Sequence, residues 1–247
     1  MRIITINLKK AYPFFAAMKI TVICTALLLS CVFALHYVLN TPLYVLSVAE
    51  DSEKAIVIVD AGHGGEDCGA IGNNGVYEKT LNLEIANLVS EELSKSGFAV
   101  VMTRTEDKLL YTEEENIKGI RKISDLKNRV KIAKAYPEAI FISIHMNSYS
   151  AAKYSGFQAY FNGKDSNSRA LAGIVQKNVR DRLQPQNNRS IKDGRELYIL
   201  ENSPVTTVLL ECGFLSNSEE CEKLCEKEYQ KELSFAIVCG IIEYMKN

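Results

Sequence analysis

The apolar positions of this chain fall into alternating short and long runs. "KAIVIVDAG", Lys54 to Gly62, is a continuous apolar stretch bounded by a glycine, the pattern of a strand buried on both faces. From Lys79 to Ser96 the apolar residues Leu83, Ile85, Ala86, Leu88, Val89 and Leu93 recur at helical spacing, and "GFAVVMTR" follows as a second strand. This strand, helix, strand order predicts parallel pairing. Beyond a polar stretch whose Asp107–Ile123 part reads mostly as loop, the pattern predicts a helix over Ser124–Ala135. Strands at "AIFISIH" and "GFQAYF" come next, then a helix over Ser168–Leu183, a loop at "PQNNR", strands at "ELYIL" and "TTVLLE", and two closing helices. The expected fold class is α/β, with about six strands and parallel pairing in the strand–helix–strand part. No internal repeat is visible.

A different pattern precedes it. Ile20 to Leu39 is twenty residues without a formal charge, long enough as a helix to cross about 30 Å of hydrocarbon. Arg2, Lys9, Lys10 and Lys19 all lie before it, with no acid among residues 1–49, which places the N-terminus in the cytoplasm and the rest outside. The expected organisation is therefore residues 1–49 as cytoplasmic N-terminus and membrane anchor, and 50–247 as an extracytoplasmic domain. A cleaved signal peptide is the rival, because "SVAE" offers small residues at Ser47 and Ala49, although the apolar stretch is longer than a usual signal core.

Charge and cysteine narrow the field. The chain is 47% apolar and 24% charged, enough to bury a core. Outside the first 49 residues 25 basic side chains face 30 acidic ones, which argues against nucleic-acid binding. Cys68, Cys212, Cys221, Cys225 and Cys239 are an odd number with no C-x-x-C and no zinc-finger spacing, so free thiols are expected.

The chemistry centres on "VDAGHGGEDCGAIG", Val59 to Gly72, five glycines and one histidine after a strand. It lacks both the helix-opening dinucleotide fingerprint and the Gly-Lys-Ser/Thr of a phosphate loop. Outside the apolar N-terminal stretch the histidines are His63 and His145, and each ends an apolar strand run. Two strands thus deliver imidazoles to one sheet edge, where α/β sheets bind ligands, and metal binding follows. Glu78, opening the next helix, is the candidate third ligand; ordinary first-turn capping is the alternative. Glu211 ends the apolar run "TTVLL", where a carboxylate is costly unless paired or facing a catalytic water. The alternatives are a catalytic acid and an internal salt bridge to an arginine such as Arg189.

These residues sit in motifs that resemble a known family. "VDAGHGGEDCGAIG", "EKTLNLEIA", "TR", "SIHMNS", "NNRSIKDGRELYIL" and "LLECGFLSNSEE" occur in the order seen in zinc-dependent N-acetylmuramoyl-L-alanine amidases, over roughly Ile56 to Ile242. Departures are Ala61 and Cys68, where the family usually has proline. The resemblance implies a three-layer (α/β/α) fold around a central, mostly parallel twisted sheet, and Zn2+ held by His63, Glu78 and His145, with Glu211 as catalytic acid/base, and Asn147 and Arg189 at positions that could orient substrate. It implies hydrolysis of the amide between N-acetylmuramic acid and L-alanine in peptidoglycan. Alternatives from other classes are a zinc peptidase cutting the stem peptide and a wall-binding module that has lost activity. The layout further resembles sporulation amidases that help form muramic-δ-lactam in spore cortex, some of which act with a lipoprotein partner.

Overall fold

The computed structural model describes residues 54–246 together with Thr25 and Leu28–Ser30, which are helical. The expected membrane segment, Ile20–Leu39, otherwise lies outside the described residues. Among those described, no helix is long and apolar enough to cross a membrane.

Residues 54–246 form a six-stranded sheet. In chain order the strands are β1 (Ile56–Ala61), β2 (Ala99–Met102), β3 (Ile140–Asn147), β4 (Gln158–Phe161), β5 (Lys192–Asp193) and β6 (Thr207–Phe214). Across the sheet they run β2-β1-β3-β6-β4-β5. β2, β1, β3 and β6 are parallel neighbours, whereas β4 runs antiparallel to β6 and parallel to β5. The sheet is therefore mostly parallel.

Six helices cover it: α1 (Glu78–Lys95), α2 (Arg121–Ala135), α3 (Ser166–Arg182), α4 (Tyr198–Asn202), α5 (Ser218–Cys225) and α6 (Lys227–Met245). Alternation along β1 assigns them to faces. Val57, Val59 and Ala61 pack with Leu81, Ile85 and Val89 of α1, Leu171 and Val175 of α3, and Leu233 and Ile237 of α6. Ile58, with Phe141 of β3, packs with Val130 and Ala133 of α2 and Ile199 of α4. Both faces are apolar because both are covered, which is why β1 and β3 read as continuous hydrophobic runs.

One expected element is corrected. "ELYIL" is not a strand; Tyr198–Asn202 is the short helix α4, with Ile199 and Leu200 buried. Five apolar residues carry no periodicity that separates a strand from a buried helical turn. The sheet edge beside β4 is taken instead by Lys192–Asp193, two residues that no hydrophobic pattern marks.

Candidate metal and catalytic site

The site lies where β1, β3 and β6 end. β1 runs into Gly62 and then His63, whose φ of 61° is unusual for a residue with a side chain. Such strain persists where the surroundings over-determine it. The surroundings here are two arginines. Arg129 of α2 donates from Nη1 to the Ala61 carbonyl at 2.8 Å and from Nη2 to the His63 carbonyl at 2.8 Å. Arg104, after β2, donates from Nε to Ala61 O at 2.8 Å and from Nη2 to Gly62 O at 3.0 Å. Both guanidiniums are buried. Behind them Asp60 accepts from Arg129 at 2.5 Å, Thr103 at 2.7 Å and Ser143 at 2.6 Å. Burial alone would raise the Asp60 carboxyl, but Arg129 and the two hydroxyls outweigh it and hold it below the usual carboxylate range.

Gly62 is required by a close approach: a Cβ there would lie 2.3 Å from Nε2 of His145. The same holds at Gly69, φ 65°, where a Cβ would meet Oε2 of Glu78 at 2.4 Å.

The three expected ligands converge. One ligand atom from each of His63, Glu78 and His145 lies within 4.8 Å of the others. Oε1 of Glu78 stands 3.2 Å from His63 Nε2 and 3.0 Å from His145 Nδ1. First-turn capping of its own helix is not what Glu78 does. Its carboxylate accepts from the amides of Ala70 and Met146, on the glycine loop and β3. Burial works to raise Glu78, yet its contacts with both imidazoles hold it well below the usual range. For His63 burial works to lower the imidazole, and hydrogen bonds to Asp67 and Glu78 outweigh it, raising it to about 9.

Asp67 is a residue that sequence reasoning missed. Its Oδ2 lies 2.9 Å from Nδ1 of His63, so the other ring nitrogen is the one turned to Glu78. A carboxylate behind an imidazole fixes its tautomer and orientation, as around metal-ligating histidines generally. The signal was within the quoted motif, four residues after His63.

Glu211 is register partner of His145 across β3 and β6. Immediately beyond, the register shifts, so that Asn147 pairs with Phe214. The Glu211 carboxyl is pushed up to about 7, chiefly by burial, with the nearby imidazoles of His145 and His63 acting the other way. Its Oε2 is buried and has no hydrogen-bond partner. Among the described residues Glu211 makes no ion pair, and Arg189 is engaged elsewhere, donating to Ser155 O and Gln158 Oε1 at 2.8 Å each. Arg189 also stacks over Phe214, 4.5 Å from the ring centre, and together with Asn147 lines a small cleft at the end of the sheet.

Comparison with known proteins places the chain in a family. Residues 57–243 match the family described as N-acetylmuramoyl-L-alanine amidase. The chain is similar to YqiI of Bacillus subtilis (strain 168), 38% identical over 198 residues covering 79% of this chain and 87% of the relative. It is similar also to the germination-specific N-acetylmuramoyl-L-alanine amidase of the same organism, 35% identical over 76% of this chain and 79% of that protein. Among solved structures, the CwlD amidase from Clostridioides difficile, determined in complex with the GerS lipoprotein, superposes with a TM-score of 0.75 at 35% identity, covering 78% of this chain and 99% of that one.

Proposed function

We propose that this chain, which belongs to the N-acetylmuramoyl-L-alanine amidase family, is a zinc-dependent hydrolase of the amide between N-acetylmuramic acid and L-alanine in peptidoglycan. The observation that carries the reading is the convergence of His63, Glu78 and His145 on one another, with the orphaned, buried Oε2 of Glu211 on the neighbouring strand. Two imidazoles and one carboxylate are a donor set suited to catalytic zinc, which keeps a coordination position open. When bound, zinc supplies Lewis acidity toward the scissile carbonyl and a hydrolytic water that ionises near pH 7.

The remaining work falls to the chain's own residues. Asp67 holds His63 with Nε2 turned inward. Glu78, fixed by the Ala70 and Met146 amides, cannot swing away from the imidazoles. Glu211 takes a proton from the attacking water and returns it to the leaving amine. Raised to about 7, it sits close to the working pH, where a group can both accept and donate. Asn147, which ends β3, and Arg189, which stacks over Phe214 at the end of β6 from the loop before β5, orient substrate.

Metal binding is tested directly. Replacing His63 or His145 by alanine is expected to remove most bound zinc, since each is one of three ligands; full occupancy by elemental analysis in either variant would refute the assignment.

We place residues 50–247 outside the membrane as the catalytic domain, with 1–49 as its anchor. Full-length protein is then expected to sediment with membranes and resist a high-salt wash. An N-terminus beginning at Glu50 would show cleavage instead. Similarity to the germination-specific amidase and to the lipoprotein-bound CwlD supports a role in removing stem peptides for muramic-δ-lactam in spore cortex, with a lipoprotein partner. Spores of a deletion strain with unchanged muramic-δ-lactam would exclude that role.

A further inference from the structure

The cleft that adjoins Asn147 is an open groove of about 200 Å3, the scale of a single amino-acid residue. It carries two cations, Arg189 and Lys192, and no acidic residue lines it. On a chain of net charge −1 that is a local inversion of sign. Neither cation forms an ion pair among the described residues. The nearest acid in sequence, Asp193, is turned away, paired with Arg195 and accepting from the Gly163 amide.

The two cations stand over aromatic rings. Arg189 lies over Phe214, and Lys192 Nζ lies 5.2 Å from the ring centre of Tyr160, its register partner across β4 and β5. Tyr154 continues the wall, 6.3 Å from Phe214 and edge-on to Tyr149 at 5.1 Å. Tyr149 is 58% exposed, so this wall is open to a ligand. Gln158, whose Oε1 holds Arg189, is register partner of Glu211. The cleft is therefore tied to the reacting position by one step across the sheet.

Elementary chemistry says which part of the substrate suits it. An N-acetylated glycan whose lactyl carboxyl is tied up in the scissile amide has no charge there, so the anions nearest the reaction are the carboxylates of the stem peptide. We infer that this cleft is the subsite for a carboxylate-bearing residue of the stem peptide, with Lys192 as a specificity-determining cation beside Arg189. The inference rests on the amidase reading and deepens it.

The test is binding, which does not depend on turnover. The probes are the free peptide L-Ala-γ-D-Glu-L-Lys and the same peptide with its carboxyls amidated, titrated calorimetrically into detergent-solubilised full-length protein. Wild type is expected to bind the carboxylate form about tenfold or more tighter than the amidated one. Lys192→Gln should weaken the carboxylate form by about tenfold while changing the amidated form less than about twofold, and Lys192→Arg should restore binding, since a charge-assisted contact is worth roughly 1.5–3 kcal/mol. Lys192 is exposed, so its loss leaves the fold alone. Wild type that fails to bind, that does not distinguish the two peptides, or that loses both equally on Lys192→Gln overturns the inference. Peptidoglycan hydrolysis is followed in parallel: its absence would count against the amidase reading, while the peptide contrast still decides the subsite.

Discussion

Glu211→Gln is expected to keep zinc near the wild-type content while lowering peptidoglycan hydrolysis by at least about a hundredfold. Glutamine preserves shape and removes only the ionisable oxygen. Positioned proton transfer contributes about 10² to 10⁴ in rate, or roughly 3 to 5 kcal/mol of barrier. Because burial pushes the Glu211 carboxyl up to about 7, the neutral side chain fits its pocket at least as well as the charged one, and the variant should not lose stability. Loss of zinc would make Glu211 a ligand. Turnover near wild type would leave it without a role in proton transfer, and Glu78 would be the next acid to test.

The second large effect is on stability. Arg129→Met is expected to destabilise the domain by about 3 to 5 kcal/mol, the usual cost of removing one partner from a buried ion pair. Arg129 serves Asp60, Asp125 and two carbonyls of the glycine loop at once, so methionine leaves two buried carboxylates short of a partner. The pH dependence has a definite sign. Asp60 is held below its ordinary range in the wild type, so its contribution is present above about pH 4 and is lost as pH falls through the lowered value. The gap between wild type and variant should therefore be widest near neutrality and shrink in acid, as Asp60 takes a proton in the variant first. Denaturant unfolding at several pH values measures this; a gap below about 1 kcal/mol at pH 7 would mean that Arg129 is not what supports the loop.

Much of the site could be read from local patterns, because its chemistry sits at strand ends. His63 and His145 close apolar runs, Glu78 opens a helix, and Glu211 interrupts apolar sequence where a carboxylate is costly. The supports were less legible. Asp67 was hidden only by its proximity to a conspicuous histidine. Arg129 lies mid-helix among lysines, and nothing in its neighbourhood shows that Asp60, 69 positions away, faces it. Arg104 stood in a quoted motif, yet its four carbonyl contacts with Ala61, Gly62, Lys79 and Glu106 depend on tertiary packing. In the fold, the parallel half of the sheet followed from buried runs separated by amphipathic helices. The edge did not, since two-residue β5 carries no pattern and the apolar "LYIL" is used to pack α4 under the sheet rather than to extend it.

The central claim concerns which bond is cut. Purified full-length protein loaded with zinc and given peptidoglycan should release peptides with a new L-alanine amino terminus and leave intact glycan bearing free lactyl carboxyls, identified by mass spectrometry of the products. Muramyl-alanine remaining on the glycan, with cleavage further along the stem, would contradict the account.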